Sequence, residues 1–131
     1  MKNLIVNSYT SIEQSRILSE ILDKHTADKT YERVCIAGTN LNIPEEQQYF
    51  HKDIPFILYS GIGIPCWSLA SLLELLPMEI DSLGKLNIHK TYEGWFVVYD
   101  EGFCARVTQL NKCLLDACYE MILYLSENNL I

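Results

Sequence analysis

Ile64-Pro65-Cys66-Trp67-Ser68-Leu69-Ala70-Ser71-Leu72-Leu73-Glu74-Leu75-Leu76-Pro77 reads as the start, body and stop of one helix. Ser68 stands where a side-chain oxygen caps the first free amides. Trp67 before it and Leu72 four residues after it have the spacing of a hydrophobic staple, and Pro77 ends the element. The stretch puts a core helix in mid-chain, so the flanking segments must supply what it packs against. It carries architecture and no chemistry.

Toward the C-terminus the pattern turns to strands. Leu86 and Ile88 alternate with Asn87 and His89, as on a half-buried strand. Tyr92-Glu93-Gly94 turns the chain. Trp95 to Tyr99 is apolar on both faces, which predicts a central strand. Asp100-Glu101-Gly102 turns it again, and Phe103, Ala105 and Val107 alternate with Cys104 and Arg106 in a third, shorter strand. Thr108 then reads as the cap of a helix running to about Glu127. Leu110, Leu114, Ala117, Met121 and Tyr124 follow one seam of it, and Leu115, Cys118, Ile122 and Leu125 lie beside them. That apolar face is wider than a surface helix needs. It predicts a second cover besides the sheet, either the first helix or another subunit.

Toward the N-terminus, Thr10-Ser11-Ile12-Glu13 has capping-box spacing for a helix to about Lys24, with Ile17, Leu18, Ile21 and Leu22 as its stripe. Residues 25 to 30 read as a loop, and Tyr31 to Ala37 as a short strand. The polar stretch from 38 to 53 is the most loop-like part. Ile54 to Tyr59 reads as a buried strand, with Gly61 and Gly63 turning into the stapled helix. The expectation is a single α+β domain over residues 1–131. It has an antiparallel sheet of three or more strands, packed by the long C-terminal helix and the central stapled helix.

The net charge of −7 bounds the partners. Nucleic-acid binders cluster Lys and Arg to displace counterions from phosphates. Here the 10 basic residues are scattered singly, which argues against nucleic acid. Three consecutive apolar residues, Leu4-Ile5-Val6, are too few for a signal-peptide core. Residues 54 to 73 carry no charge over a bilayer's length. Pro55, Gly61, Gly63, Pro65 and Ser68 interrupt that run, so a strand, a turn and a core helix explain it better than a membrane span. Five cysteines, at 35, 66, 104, 113 and 118, are odd in number and unpaired in spacing. They read as reduced thiols of a cytoplasmic protein, three or four of them buried.

Cys66 is the residue a thiol enzyme would use, because it precedes a helix start where amides favour a thiolate. None of His25, His51 and His89 stands in a partner motif, so packing is the preferred reading. Cys113 and Cys118, roughly 140° apart on a helix, cannot chelate one ion. Gly61-Ile62-Gly63 is a fragment of a phosphate-binding fingerprint and reads as a turn. Asp116 and Glu120, one helical turn apart, read as a wet helix edge. No cofactor and no metal is expected. Trp95, Phe96, Tyr99 and Phe103 on adjacent strands read as core first and as a protein-binding patch second. The candidate interaction or reactive positions are therefore Cys66, Trp67, Trp95 and Tyr99.

Three separated stretches resemble one family. They are Thr10-Ser11-Ile12-Glu13-Gln14-Ser15 with Thr26-Ala27-Asp28, then Ile64 to Leu69 through Leu73-Glu74-Leu75-Leu76-Pro77, and Asp116-Ala117-Cys118-Tyr119-Glu120-Met121-Ile122-Leu123. Together they are similar to short proteins, without an assigned activity, of gut Bacteroidales bacteria and their mobile elements or phages. The resemblance implies a bacterial cytoplasmic protein and brings no function. In topology alone the C-terminal half also resembles double-stranded-RNA-binding and HicB-type antitoxin domains, and topology is a poor guide to function. The sequence thus predicts a non-enzymatic protein-interaction or regulatory module with a protein partner. The alternative is a small enzyme using Cys66 or a pocket near residues 59–68. The surplus helix face favours a homodimer over a monomer.

Overall fold

A computed structural model describes residues 8–31, 63–102 and 104–131. Readings that fall on 32–62, among them the polar stretch and the Ile54–Tyr59 strand, lie outside the described residues, as do Cys35, His51 and Phe103. Internal contacts divide the chain into two compact units, Met1–Tyr9 with Leu69–Ile131, and Thr10–Ser68.

The smaller unit holds helix α1 (Ile12–Ile21), a short 3-10 turn at Lys24–Thr26, and an antiparallel pair, β1 (Lys29–Tyr31) with β2 (Ile64–Cys66). The capping box of α1 sits one residue later than the spacing of Thr10 and Glu13 suggests. Ser11 is the cap: its hydroxyl accepts the Gln14 amide at 3.1 Å, and Gln14 Oε1 accepts the Ser11 amide at 3.0 Å. Both frames satisfy the motif, and burial decides between them, because Thr10 is fully buried and needed elsewhere. On the predicted stripe Leu18 is buried, whereas Ile17 and Ile21 are each 40% exposed. The α1 helix packs on β2.

The larger unit holds α2 (Leu69–Leu75), which Ser68 directly precedes. Leu72 is its buried residue, and Leu76 just after it is buried too. A four-stranded antiparallel sheet follows in the order β3 (Glu79–Ile80), β4 (Gly84–Thr91), β5 (Gly94–Glu101) and β6 (Cys104–Asn111). The central position of β5 agrees with its two-sided apolar sequence: Val97, Val98 and Tyr99 are all buried. Gly84 has φ +95°, and a Cβ there would lie 1.9 Å from the Asp100 carbonyl oxygen, so only glycine lets the two strands close.

Helix α3 (Leu114–Glu127) packs on β5, on β6 and on α2. Thr108 does not cap it. The ladder from β5 holds β6 in extended form to Asn111, and Thr108 and Leu110 lie inside that strand. Cys113 is the N-cap, with no side-chain cap bond, and the Asn111 side chain turns the chain into the helix by accepting the Cys113 amide on Oδ1 at 3.0 Å. Asn129, at φ +56°, closes the other end, where the Leu130 amide returns to the Leu125 carbonyl at 2.8 Å. Leu115, Ala117, Cys118, Met121, Ile122 and Leu125 are buried. The second stripe is thus covered, with α2 as a cover beside the sheet, whereas on the first stripe Leu114 and Tyr124 are half-buried and Leu110, in β6, is exposed. The fold is α+β, with the C-terminal helix packed on an antiparallel sheet.

Candidate interaction surface

Cys66 and Trp67 belong to a polar knot in the smaller unit, and its hub is Thr10. The Thr10 amide donates to the Trp67 carbonyl at 2.8 Å, and the Trp67 amide donates back to Thr10 Oγ1 at 3.1 Å. Thr10 Oγ1 lies 2.8 Å from Ser15 Oγ. The Thr10 carbonyl accepts the Tyr31 hydroxyl at 2.6 Å and the Cys66 thiol at 3.3 Å. Around the rim, Trp67 Nε1 donates to Thr26 Oγ1 at 2.9 Å, and the Ser68 amide donates to Asp28 at 2.8 Å. The Ser68 hydroxyl also donates to that carboxylate.

These bonds define what Cys66 does. It is fully buried, and burial pushes its thiol above the ordinary value of 9.0, against the smaller opposing pull of Thr10, Ser15 and Tyr31. A thiol that donates to a carbonyl is held as a thiol, so the local chemistry opposes a thiolate nucleophile. Trp67 is fully buried too, with its one polar atom spent on Thr26. The bonds that Thr10, Tyr31, Thr26 and Asp28 make in this knot follow from no spacing rule, since their partners are up to 57 residues away.

Trp95 and Tyr99 lie on one face of β5, together with Val97. Their opposite numbers are Lys90, Ile88 and Leu86 on β4 and Asn111, Gln109 and Val107 on β6. This is the face that α3 covers: Asn111 Nδ2 reaches Glu120 Oε1 at 3.4 Å. Tyr99 is fully buried, and its hydroxyl donates to the Pro77 carbonyl at 2.6 Å. Burial raises it from 10.0 to about 12. Trp95 is half-buried at the sheet's end, with Lys90 Nζ 5.5 Å from its ring. Strand alternation sends Phe96 to the opposite face, so Trp95, Phe96 and Tyr99 do not form one aromatic platform.

The face away from α3 carries Asn87 and His89 on β4, Phe96 and Val98 on β5, and Thr108 and Leu110 on β6. His89 stands opposite Phe96, and Phe96 opposite Leu110, giving one row across three strands. The His89 ring stacks on Phe96 with centroids 5.2 Å apart and planes 18° apart. His89 is exposed, Phe96 half-buried and Leu110 42% exposed. Around the row the charges are mixed: Lys85 and Arg106 stand among Asp100 and Glu101. Arg106 bonds Glu101 at 3.0 Å, and Asn87 donates to Asp100 at 2.8 Å. The surface is therefore apolar in the middle and charge-balanced at its margin.

Among the described residues no group of three or more His, Cys, Asp or Glu is placed to hold a metal ion, and no helix is long and apolar enough to cross a membrane. Cys66, Cys104, Cys113 and Cys118 are free thiols, of which Cys66 and Cys118 are buried. Compared with family models, curated proteins and solved structures, the chain matches none.

Proposed function

We propose that this chain is a non-enzymatic protein-interaction or regulatory module. Its contact surface is the His89–Phe96–Leu110 row, and it docks an apolar side chain of a protein partner there. The observation that carries the reading is the row itself: a stacked aromatic pair continuing into an exposed leucine, on the sheet face that α3 leaves uncovered. An aromatic centre with a polar margin is how protein contact patches are built. The balanced margin suits a protein rather than a polyphosphate, which selects for clustered positive charge.

A photo-crosslinking residue at Leu110, with Met78 as the exposed control, tests the reading in cells that express the chain. The expected result is a discrete protein adduct from position 110, lost when Phe96→Asp is added, and none from position 78. No adduct at 110, or equal adducts at both positions, overturns it.

A further inference from the structure

The chain enters its smaller unit at Thr10 and leaves it at Ser68. The ends are fastened inside that unit. The Thr10 amide donates to the Trp67 carbonyl, and the Trp67 amide donates back to Thr10 Oγ1. Just outside it, the Leu69 amide donates to the Ser8 carbonyl at 2.8 Å, and both of these residues belong to the larger unit. Each unit therefore closes its own ends.

The supports are separate as well. In the larger unit α2, the four strands and α3 come from one unbroken stretch, 69–127, and α3 packs on α2, β5 and β6. Elements that follow one another closely meet at little loop-closure cost. In the smaller unit α1 packs on β2, and β1 pairs with β2 across a long separation: Thr30 Oγ1 donates to the Ile64 carbonyl 34 residues on. Closing that loop opposes the contact, and the Thr10 knot holds it with hydrogen bonds of modest net worth. Each unit also buries a free thiol, Cys66 in the smaller and Cys118 in the larger. Neither meets a reagent until its surroundings open.

We propose that the smaller unit opens on its own: α1, β1 and β2 part and bare Cys66, while the four-stranded sheet and α3 stay closed over Cys118. Cys66 then becomes reactive through a local opening that leaves the sheet intact. Folded chains open in this way, in contiguous cooperative groups of unequal stability. The inference goes beyond the docking reading and does not depend on it.

Iodoacetamide labelling of the purified full chain near neutral pH, resolved site by site by mass spectrometry, tests this. Each rate is divided by its value in full denaturant. Both buried thiols are expected to label slowly beside the exposed Cys104, with Cys66 about tenfold or more ahead of Cys118. The Cys66 rate is expected to rise less steeply with urea below the unfolding transition, because the smaller opening exposes less surface. Thr10→Val removes the hydroxyl at the centre of the knot. It is expected to speed Cys66 about tenfold and to leave Cys118 within about twofold. Equal rates with equal urea slopes in the wild type show that the chain opens as one and overturn the proposal. So does a Thr10→Val chain in which both thiols speed up alike. If Thr10→Val does not fold, the wild-type rates and slopes decide alone. Crosslinking at position 110 bears only on the docking reading, so the two fail separately.

Discussion

Thr10 uses its amide, its hydroxyl and its carbonyl in six hydrogen bonds to Ser15, Tyr31, Cys66 and Trp67. A buried polar residue is tolerable only when each group has a partner. Thr10→Val keeps the shape and removes the hydroxyl, which leaves the Trp67 amide and Ser15 Oγ short of a partner. The expected loss is about 1–3 kcal/mol, read from denaturant unfolding. Thr10→Ser keeps the oxygen and is expected to cost less. The same geometry opposes a Cys66 thiolate. Its alkylation in the folded protein is expected to be slow, with a pH midpoint above 9.0, because burial disfavours the thiolate. Fast modification near neutral pH would restore the enzyme alternative. The sequence shows Cys66 beside a helix start and nothing of the group that holds its thiol. What holds the thiol is a carbonyl 56 residues earlier, and no spacing rule reaches that far.

Among the elements, legibility followed periodicity. The β4–β5–β6 meander, the body of α3 and the short α2 are readable because alternation, turn residues and a proline stop all act locally. Boundaries set by competing partners are not. Thr108 has the chemistry of a cap, yet Val107 to Asn111 gain a full ladder with β5, and the strand prevails. At α1, Ser11 and Thr10 both fit the motif, and burial of Thr10 breaks the tie. The shifted box makes a sharp test. Ser11→Ala is expected to destabilise the chain by about 1 kcal/mol, as loss of a cap does, with denaturant midpoints as the readout. On the sheet, Gly84→Ala combines a left-handed backbone with a Cβ driven into the Asp100 carbonyl. The expected cost is about 3 kcal/mol or more, since φ strain and a backbone clash add. Gly102→Ala is the control. Its φ is +72°, but nothing lies within 4 Å of its Cβ, so only the smaller φ term applies. Equal losses at the two glycines would show that β4 and β5 do not approach as described. The His89–Phe96–Leu110 row is legible only in part. Phe96 stood out with Trp95 and Tyr99 as an aromatic run, but which face each takes depends on where α3 lies.

At the scale of the molecule, buried acids that stay protonated tie stability to pH. Burial raises Cys118 from 9.0 to about 12, with a smaller contribution from Cys113. It raises Cys66 above 9.0 and Tyr99 from 10.0 to about 12. The unfolded chain ionises each group at its ordinary value, while the folded chain keeps the proton. Above that value the native state binds more protons, so stability falls with rising pH. The contribution is complete below about pH 9, is lost from there to about pH 12 for Cys118, and is lost from about 10 to 12 for Tyr99. Cys118 and Tyr99 each steepen the fall across their windows. Cys66 and Cys118 act first, one in each compact unit. Denaturant midpoints of the wild type are therefore expected to drop steeply between pH 9 and 10. Cys118→Ala and Cys66→Ala should each lower stability at pH 7, through lost packing, and should each flatten that alkaline slope. Tyr99→Phe should leave the slope at pH 9 intact and flatten it only above 10, while freeing the Pro77 carbonyl at every pH. A wild-type curve level from pH 8 to 11 would show that these groups reach water in the folded state.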